Sequence, residues 1–322
     1  MTFAGSPDRV EARLVPERGY AFDAFRVAGF PRRPGLPLLR ALALAAASPI
    51  ACLRILARRR PDVVLGGGGY VAGPMVLAAW LRRIPAALTE ADAHLGLANR
   101  LASPFARRLF LAYPIDNMTA KARVVGRAIP STSQPVAPGE ARRRFELPQD
   151  GPVVLVFGGS LGARTLNEAA VDAWGAAGPA VLHLSGERDF EQLRGRVSRP
   201  DYRLLPFVDD FGAALSAADI VVSRAGGSVW EVAAAGKPAI LVPYPDATAN
   251  HQLKNAEYFK RARGAEIVAD SEAADRVPRL VADLLGNPTR LAEMGEAMRA
   301  AAKPDAAERI ADELIVLATA RR

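Results

Sequence analysis

The sequence predicts an α/β chain built from two similar, doubly wound parallel sheets, and three observations carry that reading. Short apolar runs alternate with helix-period stretches along nearly all 322 residues, the pattern of strand–helix crossover units. The runs are continuous rather than alternating, as in Val-Val-Leu-Val-Phe at 153–157, which implies strands covered on both faces. One strand–glycine–helix unit also occurs twice. Val63-Val64-Leu65 runs into Gly66-Gly67-Gly68-Gly69, and Val154-Leu155-Val156-Phe157 runs into Gly158-Gly159-Ser160.

In chain order, strands are predicted at 62–65, 85–88, 108–111, 123–125, 153–157, 180–184, 203–206, 220–223, 239–242 and 266–268, with helices between most of them. The most lipid-like stretch is Leu36 to Ala57. It offers 13 residues between Arg40 and Arg54, interrupted by Ser48-Pro49, whereas a spanning helix needs about 20. It reads as a core helix or as one lying in a membrane interface, flanked by Arg32, Arg33, Arg40, Arg54, Arg58, Arg59 and Arg60. Met1-Thr2-Phe3-Ala4-Gly5 has no basic segment leading into an apolar one, so no targeting segment is expected. The stretch 129–139, Ile-Pro-Ser-Thr-Ser-Gln-Pro-Val-Ala-Pro-Gly, has linker chemistry. The expected division is an N-terminal domain at 1–130, a linker at 131–148, a C-terminal domain at 149–303, and a closing helix at 304–322 packing back on the first domain. A cleft is expected between the two domains.

Composition narrows the classes. With 50% apolar and 24% charged residues the chain is not a disordered one. One cysteine, Cys52, excludes a disulfide framework and a cysteine metal cluster, and His94, His183 and His251 are far apart. No metal or cofactor is expected. Residues 1–130 carry 19 Lys/Arg against 8 Asp/Glu, a net +11, while the remaining 192 carry 23 against 26. The basic half points to an anionic partner: nucleic acid, anionic lipid or a phosphorylated substrate. A solvated arginine-rich surface is the other reading of the same charge.

Three glycine turns follow predicted strands. Gly158-Gly159-Ser160-Leu161-Gly162 opens a helix, where close backbone approach and free N–H groups favour a phosphate. The spacing is not that of dinucleotide binders, and a tight turn alone would also explain it. Gly66-Gly67-Gly68-Gly69 repeats the logic. Four consecutive glycines cost roughly 1 kcal/mol each to order, which favours a second anion site over packing. Ser223-Arg224-Ala225-Gly226-Gly227-Ser228 is the third, with Glu231 in the first turn of the next helix. A carboxylate there either caps the helix or accepts hydrogen bonds from a ribose diol. All these turns sit at carboxyl ends of parallel strands, where open sheets bind ligands.

The motifs Gly68-Gly69-Tyr70-Val71-Ala72-Gly73-Pro74, Gly96-Leu97-Ala98-Asn99-Arg100, Gly158 through Arg164, Ser223-Arg224-Ala225-Gly226, Glu231 through Pro238, His251-Gln252 with Asn255-Ala256, and Pro304-Asp305-Ala306 resemble, in order, those of the MurG family. The resemblance covers nearly the whole chain. It implies a GT-B fold of two Rossmann-like domains, and inverting transfer of GlcNAc from UDP-GlcNAc to the lipid-linked muramyl acceptor lipid I, giving lipid II. It further implies a peripheral position on the cytoplasmic face of the cell membrane, an anionic membrane surface as partner, and no nucleic acid. By matched position, Ser160 meets the diphosphate, Val208 contacts uracil through its backbone, and Gly227, Ser228, Val229, Trp230 and Glu231 hold diphosphate and ribose. Gln252 takes sugar hydroxyls, and Asp92 stands in the place of a donor-binding asparagine.

The departures are equally specific. Met1–Ser6 matches the family's second strand, so its first strand and the loop supplying its catalytic base have no counterpart here. Omitting a central strand leaves its neighbours unpaired unless the sheet closes up differently or the true start lies upstream. Pro130 replaces a donor-binding arginine, with Arg127 three residues away as its substitute. The catalytic base is left unassigned. Glu90 is the candidate that remains, and a loop hydrogen-bond acceptor is its other reading. Two further functions compete: a non-catalytic UDP-sugar-binding homologue, and a GT-B transferase acting on another lipid acceptor.

Overall fold

The structure, a computed structural model, describes residues 1–27, 35–159 and 162–320. The chain divides into two units, residues 1–125 with 308–322, and residues 126–307. Each is an α/β layer structure, as strands buried on both faces require.

The first unit runs β1 (Thr2–Gly5), α1 (Glu11–Glu17), β2 (Ala21–Ala24), α2 (Leu36–Arg59), β3 (Val64–Gly66), α3 (Gly69–Leu81), β4 (Ala86–Glu90), α4 (Leu97–Ala102), β5 (Arg108–Leu111) and β6 (Ala122–Val124). Four strands pair in parallel in the order β3-β4-β5-β6, and β1 pairs in parallel with β2 alone. Among the described residues β1 and β3 do not pair, so the sheet does not close up and the strands fall into two sheets. Side chains join them instead. Phe25 is buried with Cys52, Leu56, Val64, Val76 and Leu88, and Ala4 packs on the same cluster.

Strand β2 was not predicted. Its sequence, Ala-Phe-Asp-Ala, carries an acid in its middle. Asp23 is buried there because Arg58 and Arg59 of α2 reach it at 2.6 and 2.8 Å. Those arginine contacts hold its carboxyl below the usual range against the opposing effect of burial.

The second unit runs α5 (Pro138–Arg144), β7 (Val153–Phe157), α6 (Arg164–Trp174), β8 (Ala180–Leu184), α7 (Glu187–Arg194), β9 (Tyr202–Leu205), α8 (Phe211–Ala217), β10 (Ile220–Ser223), α9 (Val229–Ala234), β11 (Ala239–Leu241), α10 (His251–Arg261), β12 (Ala265–Ile267), α11 (Ala273–Leu285) and α12 (Pro288–Ala301). Six parallel strands lie in the order β12-β11-β10-β7-β8-β9. Val153–Phe157 is buried at all five positions in the centre. The order reverses direction beside β7, the arrangement that opens a ligand crevice at the strands' carboxyl ends.

Residues 131–148, expected as a linker, fall within the second unit. They carry a single 3-10 turn at Ser131–Ser133 and the helix α5, and both pack on α8. Three prolines fix the path of this segment but do not free it. Arg142 of α5 reaches Asp219 at 2.9 Å, and Asp219 also accepts the Val153 N–H at 2.8 Å, which ties the segment to the central strand.

The closing helix α13 (Ala306–Thr319) belongs mostly to the first unit. Its Leu317, 5% exposed, packs with Ala87, Phe110 and Val125, flanked by Ile310 and Leu314. Arg108 holds Glu313 at 2.9 Å beside them. Leu317→Ala is therefore expected to destabilise the first unit by about 2–4 kcal/mol. Ile315→Ala, on the exposed side of the same helix, is expected to change stability by no more than about 0.5 kcal/mol. Urea unfolding of the two variants measures the difference.

Candidate functional site

The carboxyl ends of the second unit's strands enclose a cavity of about 260 Å³ lined by Phe157, Gly159, Leu184, Val208, Ser133 and Glu231, among others. Pockets for small ligands begin at roughly this size. Phe157 ends β7 and meets Phe211 of α8 edge to face, with ring centroids 5.1 Å apart. Val208, expected at uracil, lies in this wall beside the exposed Phe207 and Asp209.

The glycine loop after β7 is shaped by its own neighbours. A Cβ on Gly162, whose φ is +72°, would collide with the carbonyl oxygen of Ser185. That carbonyl is fixed in turn, accepting from Asn167 Nδ2 at 2.9 Å. Asn167 also donates to Asp189 at 3.0 Å, and its Oδ1 meets His183 Nε2 at 3.0 Å. His183 Nδ1 completes the chain at 2.8 Å from Tyr202 Oη. Gly158 packs against Ala163, whereas Gly159, with φ +93°, faces open space in the cavity. Ser160 lies outside the described residues.

The turn after β10 brings its predicted residues to the same edge, with differences. Ser228 and Glu231 line the cavity. Val229 and Trp230 do not, because their side chains are fully buried, Trp230 against Phe259 at 5.4 Å. Their N–H groups already close turns onto the Gly226 and Gly227 carbonyls. The helix α9 is only six residues long, so its dipole is weaker than the sequence implied. A charge compensates: the Arg127 guanidinium lies where a Cβ on Gly227 would sit.

Glu231 stands in the first turn of α9 and also reaches beyond it. Its Oε1 accepts a hydrogen bond from Ser133 Oγ across the cavity wall. Burial pushes its carboxyl above the ordinary range, while Ser133 and the charge of Arg127 draw it down. Ser133 and Thr132 were missed by sequence reasoning, since in a Pro- and Ser-rich stretch nothing separates a solvent-facing serine from a cavity wall.

A buried arginine ties the strand ends together. Arg224, 8% exposed, donates to the Val242 carbonyl at 3.1 Å and pairs with Asp270 at 2.5 Å. Asp270 accepts from Thr165 in the first turn of α6 at 3.1 Å. Gln252, expected on the donor sugar, stands at the start of α10 with Oε1 accepting the Tyr244 N–H at 2.9 Å. It does not line the cavity.

Glu90 and Asp92 belong to the first unit. The Glu90 carboxylate accepts from the N–H groups of Ala91, Asp92 and Gly96 and from Asn99 Nδ2, at 2.9–3.4 Å. A carboxylate so engaged organises a loop and is poorly placed as a base. The loop Gly66–Gly69 joins β3 to α3, and Gly66 packs against Leu88 and Ala72 while Gly67 and Gly69 face open space. Among the described residues no group of three or more His, Cys, Asp or Glu gathers as a metal site.

Two α/β units with parallel sheets, one carrying a cavity at the carboxyl edge of a doubly wound sheet, make a GT-B fold. Residues 2–111 match the glycosyltransferase family 28 N-terminal domain, and residues 153–310 match its C-terminal domain. The chain is 39% identical to the UDP-N-acetylglucosamine–N-acetylmuramyl-(pentapeptide) pyrophosphoryl-undecaprenol N-acetylglucosamine transferase of Salinibacter ruber, covering 99% of this chain and 88% of that one. It is 38% identical to the protein of the same name from Rubrobacter xylanophilus, covering 98% and 94%. The crystal structure of Acinetobacter baumannii MurG superposes with a TM-score of 0.79 at 29% identity, covering 97% of this chain and 90% of that one. The chain belongs to glycosyltransferase family 28 and, within it, to the MurG family.

The buried polar chain gives the second unit a pH signature. Burial pushes His183 down to about 3 from an ordinary value of 6.5. Between those values the unfolded chain binds a proton that the folded chain refuses, so stability falls as pH drops below about 6.5. The expected slope is about 1.4 kcal/mol per pH unit from this residue. Thermal unfolding of the native protein and of His183→Gln across pH 4–7 measures it, and the variant's stability is expected to fall less steeply.

Proposed function

We propose that the chain transfers GlcNAc from UDP-GlcNAc to lipid I, forming lipid II, with the donor held by the second unit. The observation that carries this is Glu231 in the strand-tip cavity, with Arg127 against Gly227 one turn away. A carboxylate facing a nucleoside-sized space suits the two hydroxyls of a ribose, and the arginine suits a diphosphate. The names of the relatives supply the acceptor.

In the reaction the acceptor's 4-hydroxyl oxygen attacks the anomeric carbon of GlcNAc. The bond from that carbon to the diphosphate oxygen breaks with inversion, the hydroxyl proton passes to water, and UDP departs with the bonding electron pair. Negative charge grows on the diphosphate, where Arg127 and the Gly159 and Ser228 amides stabilise it without rearranging. Gln252 orients the donor sugar, and the Val208 backbone holds uracil.

The first unit takes the lipid acceptor and rests on the cytoplasmic face of the membrane. Trp80, Leu81, Leu97 and Leu101 are each more than half exposed, and the Trp80 and Phe105 rings meet at a tilt of 60° with centroids 5.2 Å apart. The exposed Arg82, Arg83, Arg100 and Arg107 stand near them in sequence. Anionic headgroups contribute about 1 kcal/mol per nearby cation. Among the described residues no helix is long and apolar enough to cross a membrane.

Purified protein supplied with UDP-GlcNAc and lipid I is expected to produce lipid II. Turnover only with a different lipid would identify another transferase, and binding of UDP-GlcNAc without turnover would identify a sugar-nucleotide-binding homologue. Glu231→Ala is expected to weaken UDP-GlcNAc binding by about 1–3 kcal/mol with little change in melting temperature. Unchanged affinity would remove the ribose role. In vesicle sedimentation, more protein should pellet with anionic than with neutral lipid, and equal binding to both would remove the charge argument.

A further inference from the structure

We propose that Ser133 is a positioning residue for the Glu231 carboxylate and sets the preference of the cavity for ribonucleotides over deoxynucleotides. The inference rests on the reading of Glu231 as the ribose acceptor and adds the residue that aims it.

The two residues are 98 positions apart and meet through one hydrogen bond, in which Ser133 Oγ donates to Glu231 Oε1. Both line the cavity, and Ser133 is only 7% exposed. Each stands on a fixed support. Glu231 follows Val229 and Trp230, whose fully buried side chains anchor the short helix α9. Ser133 closes a 3-10 turn, its N–H donating to Pro130 O at 3.0 Å. Three residues on, the Val136 N–H donates to Ser216 Oγ at 3.1 Å, and Ser216 Oγ donates to Gly212 O at 2.8 Å. The turn lies directly on α8, because Gly212 has no side chain there. A Cβ on Gly212 would collide with the Gln134 carbonyl oxygen and come within 2.8 Å of the Ser133 carbonyl carbon.

The chemistry follows from counting lone pairs. A carboxylate offers about four acceptor positions. Ser133 takes one and removes the free rotation of the group about its last bond. The positions that remain are thereby held in one plane, and a cis-diol needs that plane to donate two hydrogen bonds at once. Without Ser133 the diol would have to order the carboxylate itself, at a cost in rotamer entropy. A 2′,3′-dideoxyribose makes no such demand.

The test compares binding of uridine diphosphate and 2′,3′-dideoxyuridine diphosphate to the native protein, Ser133→Ala and Ser133→Thr by calorimetry. The native protein should prefer the ribonucleotide. Ser133→Ala should weaken its binding about five- to twenty-fold and leave binding of the dideoxy compound unchanged. Ser133→Thr, which keeps the hydroxyl, should restore the preference. An equal loss for both nucleotides would show that Ser133 merely shapes the wall, and the proposal would fall while the role of Glu231 stood. Equal affinity of the native protein for both nucleotides would overturn the ribose reading of Glu231, and the proposal with it.

Discussion

All six strands of the second unit run the same way, and this constraint decides where ligand chemistry can occur. Parallel pairing gathers every carboxyl end on one edge. The turns that leave that edge carry backbone amides outside the sheet ladder, and those after β7 and β10 are glycine-rich. The loops after β7, β9 and β10 reach the cavity by this rule, although they are separated by up to 70 residues of chain.

Turns alone would be soft, and two buried polar systems stiffen them. One runs from Tyr202 through His183 and Asn167 to the Ser185 carbonyl, which presses on Gly162. The other centres on Arg224, which joins the ends of β10 and β11 to the start of α6 through Asp270 and Thr165. Neither system faces the nucleotide space. Polar groups this deep would be costly if unpaired. Paired, they turn flexible loops into a preformed surface, and preformed donors are what stabilise a leaving diphosphate.

The parts legible in the sequence are those with a local cause. Val153–Phe157, Ala180–Leu184 and Ile220–Ser223 are continuous apolar runs, and strands buried on both faces leave that trace. Arg108–Leu111 was found at its observed bounds. Glu231 was found from its place after a glycine turn and from family motifs. Features with a distant cause were missed. Strand β2 depends on two arginines 35 and 36 residues away that neutralise Asp23. Ser133 depends on a glycine in α8. Val229 and Trp230 lie beside Glu231 in sequence, yet successive side chains on a helix point about 100° apart, so adjacency did not mean a shared face.

The two-part sheet of the first unit has a consequence for its breathing motions. No ladder of backbone hydrogen bonds joins β1 and β2 to the other four strands among the described residues. Apolar contacts around Phe25 and Ala4, the ion pairs of Asp23 to α2, and a hydrogen bond from Arg9 to Tyr70 of α3 hold the β1–α1–β2 segment in place. Cooperative opening follows the seams where interactions are sparse. By that rule the β1–α1–β2 segment is expected to open as one sub-global unit. Its amides would exchange with solvent deuterium well before those of β4 and β5, whose ladders are continuous on both sides.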